Sequence, residues 1–227
     1  MNTNIKQNLK GLLFLFISIL FIFTGCKNLN KSQKGVLIGA GAGGAVGAGV
    51  GKAAGNTALG AIIGAAVGGT AGGIIGRKMD KQAEELERIE GAQVERVGEG
   101  INVTFESGIL FGFDKSQVSI EAQNQLTQLA KVLNDYPDTY VLVEGHTDAA
   151  GTNEYNEGLS KRRAEAVANA LKNKNVSASR IITKWYGEDQ PKFPNDNDEN
   201  MAKNRRVELA IYANEKMKEE AKKEANQ

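Results

Sequence analysis

Residues 145–164 read GHTDAAGTNEYNEGLSKRRA and join a predicted strand to a predicted helix. The strand comes just before this stretch, because residues 139–143, TYVLV, form a short run of β-branched and aromatic side chains. From Asn153 onward the apolar residues repeat at the spacing of an amphipathic helix. Asp148 therefore follows the carboxyl end of the strand, and the helix carries Arg163.

The two charges in this stretch favour a binding site for a zwitterion. Asn156, Ser160 and Arg163 fall on one stripe of the helix, and ligands of α/β units bind outside the carboxyl ends of strands, near helix N-termini. A ligand carboxylate would pair with Arg163 and an ammonium with Asp148, so an α-amino acid group satisfies both. From the residues alone, two commoner arrangements remain open: Asp148 caps the helix, or it pairs internally with Arg163.

The rest of the C-terminal half alternates between strand and helix patterns. Residues 101–105 alternate as a strand, and a helical pattern from residue 118 onward ends before Pro137. Residues 180–186 and 207–211 give two more strands. This alternation predicts an α/β fold in which helices pack over a mixed sheet.

Several motifs in this half occur in an order that is typical of one family. They are GHTD at 145–148, Gly151, Tyr155-Asn156, Leu159-Ser160, Arg163-Ala164 and NRRVE at 204–208. Over residues 100–213 the chain resembles OmpA-like peptidoglycan-binding domains. The resemblance implies an OmpA-like βαβαβ(β) mixed sheet with helices packed on it. It also implies non-covalent binding of the diaminopimelate in the peptidoglycan stem peptide.

The resemblance further implies which residues contact the ligand. In that family the aspartate of the TD pair and the arginine of the RA pair hold the amino-acid end of diaminopimelate, and these positions are Asp148 and Arg163 here. The other matches to pocket positions are Thr147, Asn156, Leu159, Phe113, Asp114 and Arg205. Of the neighbours Arg205 and Arg206, one is expected to support the pocket and the other the fold. The loop of residues 108–113 departs from the family pattern, because it is rich in glycine.

Residues 1–25 have the pattern of a signal peptide. A basic start precedes the apolar residues 11–23, a run too short to span a membrane readily. Cys26, the only cysteine, follows in a context that resembles the lipobox of bacterial lipoproteins, so residues 26–34 are expected to be a lipidated N-terminus and short linker. By resemblance to sorting signals, Lys27 fits an anchor in the outer membrane, with the domain in the periplasm. The alternative is a free thiol beside an ordinary secretory cleavage site.

Glycine recurs at every fourth position across residues 35–76. It occupies positions 35, 39, 43, 47, 51 and 55 and, after a slip of one residue, positions 60, 64, 68, 72 and 76. On helices this spacing lets backbones approach closely, and it resembles the glycine-zipper segments of outer-membrane lipoproteins. The pattern predicts a helical hairpin whose arms, roughly 31 Å long, match the core of a bilayer. It leaves open whether the hairpin spans the membrane, mediates homo-oligomerisation or is a flexible segment.

Two charged segments lie on either side of the predicted domain. Residues 77–99 are expected to be a helical spacer in solvent, because residues 77–90 are helix-forming and highly charged. Residues 214–227 contain four lysines and four glutamates. They are expected to form a frayed, exposed helix.

The charge balance and the reactive residues narrow the function. Lysine and arginine number 28 against 27 acids, so nucleic acid is not expected as a partner. With His146 as the only histidine and no GxSxG motif, no catalytic residue, metal or cofactor is predicted, although a carboxylate-pair glycosidase stays formally open. A motor stator is disfavoured because residues 35–76 contain no acidic residue. The predicted function is an outer-membrane lipoprotein that tethers the membrane to peptidoglycan. The alternative is an envelope assembly scaffold, or an oligomeric membrane protein, that acts through the glycine hairpin.

Overall fold

The computed structural model describes residues 57–112 and 114–227. The predicted signal peptide, Cys26, the first arm of the predicted glycine hairpin and Phe113 lie outside these residues. The described residues form seven α-helices and five β-strands. The helices are α1 (Thr57–Ala65), α2 (Gly69–Leu86), α3 (Ser107–Leu110), α4 (Ile120–Asp135), α5 (Asn153–Lys172), α6 (Asp198–Asn204) and α7 (Glu215–Ala225). The strands are β1 (Gln93–Val97), β2 (Gly100–Glu106), β3 (Thr139–Gly145), β4 (Ile181–Trp185) and β5 (Arg206–Ala213).

The five strands form one mixed sheet in the order β1-β2-β5-β3-β4. The pair β3 and β4 is parallel, and the other three pairs are antiparallel. A parallel pair needs a crossover, and α5 provides it between β3 and β4. The predicted α/β fold with a mixed sheet is therefore confirmed.

One face of the sheet carries the main hydrophobic core. Val141 and Val143 of β3 and Leu209 of β5 point to this face and have no exposed surface. Helices α4 and α5 cover it with apolar residues at helical spacing: Leu126, Leu129, Leu133, Val167 and Leu171. This packing fixes α5 against β3, so the first turns of the helix lie beside the carboxyl end of the strand.

Gly145 ends β3 where the backbone of α5 comes closest to the strand. A Cβ atom at this position would lie 2.2 Å from the carbonyl oxygen of Ser160, and that oxygen cannot move without moving the helix. We expect Gly145→Ala to lower the free energy of unfolding by about 1–3 kcal/mol, as measured by urea denaturation. Gly108→Ala is the control, because a Cβ there meets nothing within 4 Å. Equal losses in the two variants would contradict the close approach.

The opposite face of the sheet is covered by α1. Ala58 and Ile62 of this helix pack against Leu142 and Ala210 of the sheet, and all four are buried. Because strand residues alternate between faces, Glu144 and Glu208 lie on this side of the sheet as well. Both carboxylates are buried and belong to a buried polar cluster.

Glu208 lies at the centre of this buried polar cluster on the second face. It accepts hydrogen bonds from Arg206 Nε at 2.6 Å and from Asn102 Nδ2 at 3.2 Å. Lys192 Nζ lies 3.7 Å from the same carboxylate. Glu144 is directly opposite Glu208 in the strand register, and the backbone of Ala58 in α1 is close enough to its carboxylate to lower its pKa. The cluster thus joins the sheet to the first described helix.

The second arm of the predicted glycine hairpin is two helices rather than one. Helix α1 ends at Ala65, and the chain turns at Gly68, whose φ of 75° favours glycine. The carboxylate of Glu99 accepts hydrogen bonds from the backbone N–H groups of Val67 at 2.7 Å and Gly68 at 2.8 Å. An acid at a helix N-terminus is favourable, so Glu99 stabilises the start of α2. Among the described residues, none of the helices is both long and apolar enough to cross a membrane.

Residues 77–99, predicted to be a solvated spacer, belong instead to the folded domain. Helix α2 runs through this segment to Leu86 and buries Met79 and Ala83 together with Leu86. The residues that follow pair with β2 as strand β1. The apolar positions recur at helical spacing within the charged run, so one side of the helix packs on the core while the charges face water.

The C-terminal tail also packs more closely than predicted. Helix α7 starts at a capping residue, because Asn214 Oδ1 accepts a hydrogen bond from the N–H of Met217 at 3.0 Å. Met217 and Ala221, four residues apart, are buried in the main core. Glu220 lies 3.9 Å from Lys78 of α2. The prediction of a frayed, exposed helix is corrected to a helix that packs along one side.

Candidate functional site

A cavity of about 520 Å³ opens at the carboxyl end of β3. It lies between the loop after β3, the first turns of α5 and two segments at residues 106–114 and 201–205. Seven of the predicted ligand contacts line it: Asp114, Thr147, Asp148, Asn156, Leu159, Arg163 and Arg205. The structure therefore brings these residues together in one cavity, and their role in binding stays a prediction. The eighth, Phe113, is outside the described residues.

Arg163 is a buried cation in the wall of the cavity. It is 4% exposed, and its guanidinium lies 5.4 Å from the centre of the Phe111 ring. Its Nε donates a hydrogen bond to the carbonyl oxygen of Lys115 at 3.1 Å, but its Nη1 has no partner among the described residues. Burial lowers the pKa of Arg163, and the nearby Asp114 opposes this shift. No carboxylate in the described part of the chain lies within ion-pair distance of Arg163.

Asp148 is the buried anion of the same cavity, and its partner is Arg205. Asp148 Oδ2 lies 2.5 Å from Arg205 Nη1, and Oδ1 accepts a hydrogen bond from the N–H of Ala150 at 3.1 Å. The cap of α5 is Thr152, whose hydroxyl accepts a hydrogen bond from the N–H of Tyr155 at 3.2 Å. The two commoner arrangements left open by the sequence, a helix cap and an internal pair with Arg163, are therefore both absent at Asp148.

Asn156 holds the loop that presents Asp148. Its Nδ2 donates to the carbonyl oxygens of Asp148 at 3.2 Å and Ala150 at 3.1 Å, and to Glu188 Oε2 at 2.6 Å. Because Asn156 is 2% exposed, these bonds are shielded from water and fix the loop backbone. Asn156 therefore positions Asp148.

Thr147 and Leu159 supply the remaining predicted wall of the cavity. The backbone N–H of Thr147 donates to the carbonyl oxygen of Gly187 at 2.8 Å, which ties the loop after β3 to the loop after β4. Its hydroxyl is buried and has no partner among the described residues. Leu159 is 6% exposed and gives the cavity an apolar side. A hydroxyl without a partner next to an apolar wall is suited to a ligand with one polar group and a methylene chain.

Asp114 connects the loop after α3 to α5. It has a positive φ of 55° and accepts a hydrogen bond from the hydroxyl of Tyr155. This bond raises the pKa of Tyr155 above its ordinary value. Tyr155 lies within the sequence stretch that marks the site, but sequence reasoning gave it no role there. Its hydroxyl makes it a further candidate contact.

Helix α6 contributes a wall that sequence reasoning missed. Met201 and Ala202 of this helix line the cavity. Asn197 caps α6, since its Oδ1 accepts a hydrogen bond from the N–H of Asn200 at 2.8 Å. An asparagine followed by two acidic residues is a pattern that starts helices, so the signal was present in the sequence.

Glu144 and His146 do not line the cavity. Burial, followed by the charge of Arg206, lowers the pKa of His146 to about 3, so the ring is neutral at ordinary pH. The ring stacks on Tyr186, with the ring centres 5.5 Å apart. Glu144 and His146 therefore do not bring a carboxylate–histidine pair into the cavity.

Comparison with known proteins links this cavity to a family. The OmpA family model matches residues 110–205, and the YMGG-like Gly-zipper model matches residues 5–80. The peptidoglycan-associated lipoprotein of Pasteurella multocida is 43% identical over 102 residues, which cover 45% of this chain and 68% of that protein. The probable lipoprotein YiaD of Escherichia coli is 38% identical over 140 residues, which cover 60% of this chain and 64% of that protein.

A solved structure, described as the cell wall anchor of the T6SS from Pseudomonas aeruginosa, gives a match in fold as well. It has a TM-score of 0.53 and 29% identity, and the match covers 60% of this chain and 96% of that one. The chain spans less than two thirds of the length of the first curated relatives that it matches. The family model nevertheless includes most of the cavity wall, from Leu110 to Arg205. On this evidence the chain belongs to the OmpA family.

Proposed function

We propose that this chain is an outer-membrane lipoprotein that binds peptidoglycan without covalent chemistry and tethers the membrane to the cell wall. The group bound in the cavity is the diaminopimelate of the stem peptide. Cys26 carries the acyl chains, and the domain faces the periplasm. The names of two relatives, a peptidoglycan-associated lipoprotein and a probable lipoprotein, support this proposal.

The buried guanidinium of Arg163 carries the proposal. A cation that is 4% exposed and lacks a carboxylate partner among the described residues is costly to bury. A ligand carboxylate would supply the missing partner through two parallel hydrogen bonds. Asp148 would accept the ligand ammonium, so one amino-acid group satisfies both charges.

The chemistry of the wall favours the side-chain end of diaminopimelate over a plain dicarboxylate. Two cations, Arg163 and Arg205, and the carboxylate of Asp148 meet in one cavity with the apolar Leu159. Diaminopimelate offers a carboxylate and an ammonium on one carbon, joined to the peptide by a methylene chain. Affinity per site should be modest, because a few charge-assisted bonds must offset lost motion. Many copies on one membrane facing a polymer supply avidity.

Co-sedimentation with purified peptidoglycan sacculi tests the proposal. We expect the full chain in mild detergent to pellet with sacculi, and we expect Arg163→Gln to weaken binding by about tenfold or more, since a charge-assisted bond contributes about 1.5–3 kcal/mol. Asp148→Asn should also weaken binding, through the ligand ammonium.

The neighbouring Arg162 gives a matched control. It is exposed on the same helix, so Arg162→Gln removes the same charge outside the cavity and should pellet like the unmodified chain. If Arg163→Gln and Arg162→Gln pellet equally well, the assignment of the cavity is wrong. Soluble peptidoglycan fragments in the supernatant would contradict binding without turnover.

The glycine segment gives a second candidate function. The YMGG-like Gly-zipper model covers residues 5–80, and an envelope scaffold would act through that segment. Helices α1 and α2 pack on the OmpA-like domain, so such a role falls mainly to residues before 57. Homo-oligomerisation through those residues stays a prediction.

A further inference from the structure

Arg205, at the edge of the cavity, holds the carboxylate that the proposed ligand needs. The side chain of Asp148 is 8% exposed and that of Arg205 is 40% exposed. Their nearest nitrogen and oxygen atoms are 2.5 Å apart. Arg163, the buried cation of the same cavity, has no such partner among the described residues. The carboxylate is thus paired with the exposed arginine rather than with the buried one.

The side chain of Arg205 can move away from Asp148 while the backbone of Arg205 stays in place. The backbone N–H of Arg205 donates to the carbonyl oxygen of Met201 at 3.1 Å, and its carbonyl oxygen accepts from the N–H of Ser107 at 2.7 Å. Within the described residues, the side chain makes one hydrogen bond, the one to Asp148. Rotation of the side chain into water therefore breaks a single ion pair and leaves the backbone in place.

We infer that Arg205 is an internal counter-ion of Asp148, which the ammonium group of the ligand displaces when it binds. This inference rests on the proposed function. Because Asp148 is 5% exposed, it needs a cation both before and after binding. The contribution of the ligand ammonium is then the difference between two ion pairs. The ligand carboxylate meets no such competitor at Arg163.

This exchange makes Arg205 a residue that sets selectivity. A ligand with an ammonium must first displace the guanidinium, whereas a ligand whose amine is blocked leaves the pair with Asp148 intact. Specificity is a difference between two affinities. Arg205 lowers the affinity for a ligand with a free ammonium and leaves the affinity for a blocked ligand unchanged. Removal of Arg205 should therefore strengthen the binding of ammonium-bearing ligands alone.

Calorimetric titration of the full chain in mild detergent tests the exchange. The two probes are N-acetyl-L-alanyl-D-glutamyl-meso-diaminopimelate and the same peptide with its diaminopimelate amine acetylated. Arg205→Gln is expected to bind the peptide with the free amine about three- to tenfold tighter than the unmodified chain. It should bind the acetylated peptide no tighter. Arg205→Lys keeps a cation at this position and should return both affinities towards those of the unmodified chain.

The outcomes separate this inference from the function on which it rests. If the unmodified chain binds the free-amine peptide and Arg205→Gln binds it equally or more weakly, Arg205 contacts the ligand and the exchange is wrong. If the unmodified chain binds neither peptide, the proposed function itself fails. Thermal unfolding of Arg205→Gln checks that the variant is folded.

Discussion

Replacing Arg206 by methionine is expected to lower the free energy of unfolding by about 3–5 kcal/mol, the usual loss when one member of a buried ion pair is removed. Arg206 is 2% exposed. Its Nε donates to Glu208 at 2.6 Å, its Nη1 to the carbonyl oxygen of Asn204 at 3.1 Å and its Nη2 to that of Gln190 at 3.0 Å. Methionine fills a similar length of space but donates no hydrogen bond, so two buried acceptors and one half-buried acceptor lose a partner.

The carboxylate of Glu208 is the main source of this loss. Burial alone would raise the pKa of Glu208, but the charges of Arg206 and Lys192 outweigh burial and hold it at about 2. A lowered pKa means that the ionised carboxylate stabilises the fold above pH 4.5, and that this contribution disappears as the pH falls towards 2. Lys192, 3.7 Å away, replaces only part of the lost charge. The difference between Arg206→Met and the unmodified chain should therefore shrink in acid.

Arg205→Met is the matched control, and urea denaturation at neutral pH is the measurement. The two arginines are neighbours in sequence, but the pair of Arg205 with Asp148 is partly exposed. Arg205→Met should cost less than Arg206→Met, because the side chain of Arg205 is 40% exposed and makes one hydrogen bond rather than three. Similar losses in the two variants would contradict the division of roles, in which Arg206 supports the fold and Arg205 the cavity.

The sequence predicted most of the cavity residues by resemblance to one family, and it predicted Asp148 and Arg163 from local pattern as well. Asp148 follows a strand and Arg163 lies on the next helix, so the strand–helix connection alone places them near one another. The pair between Asp148 and Arg205 was not predictable in this way, since these residues are 57 positions apart. Only the antiparallel pairing of β3 with β5 brings them together.

The segment before the domain shows where sequence reasoning fails in physical terms. The charged residues of α2 suggested a solvated spacer, but Met79 and Ala83 form an apolar stripe that packs on the core. The four-residue spacing of glycine predicted close helix contacts through glycine, but α1 packs on the sheet through Ala58 and Ile62, and Gly64 is exposed. The glycine spacing gave no sign of two acids outside the segment. Glu99 accepts hydrogen bonds at the start of α2, and Glu144 lies near the start of α1.

Glu144 provides the second large prediction, a change of stability with pH. Burial, followed by the charge of Glu208, raises the pKa of Glu144 from 4.5 to about 7. One oxygen of its carboxylate receives the Tyr186 hydroxyl at 3.4 Å, whereas Oε2 is buried and has no partner among the described residues. The folded chain therefore favours the protonated acid. Its stabilising effect is complete below pH 4.5 and is lost as the pH rises through about 7.

His146 opposes this trend in the unmodified chain. Because burial lowers its pKa from 6.5 to about 3, protonation of the unfolded chain reduces stability as the pH falls between these values. The two effects have opposite signs between pH 4.5 and 6.5 and partly cancel. A single stability profile therefore hides the contribution of Glu144, and a comparison of two chains that both keep His146 is needed.

The unmodified chain and Glu144→Gln are two such chains, because both keep His146. Glutamine cannot ionise, so the free energy of unfolding of Glu144→Gln should rise by about 3 kcal/mol relative to the unmodified chain between about pH 4 and pH 8, from a shift worth about 1.36 kcal/mol per pKa unit. Urea denaturation of both chains across this range measures the difference. Glu121→Gln, at an exposed position on α4, should show no comparable rise. A difference that stays constant with pH would mean that the carboxylate of Glu144 is not enclosed between α1 and the sheet, and that α1 does not cover this face in solution.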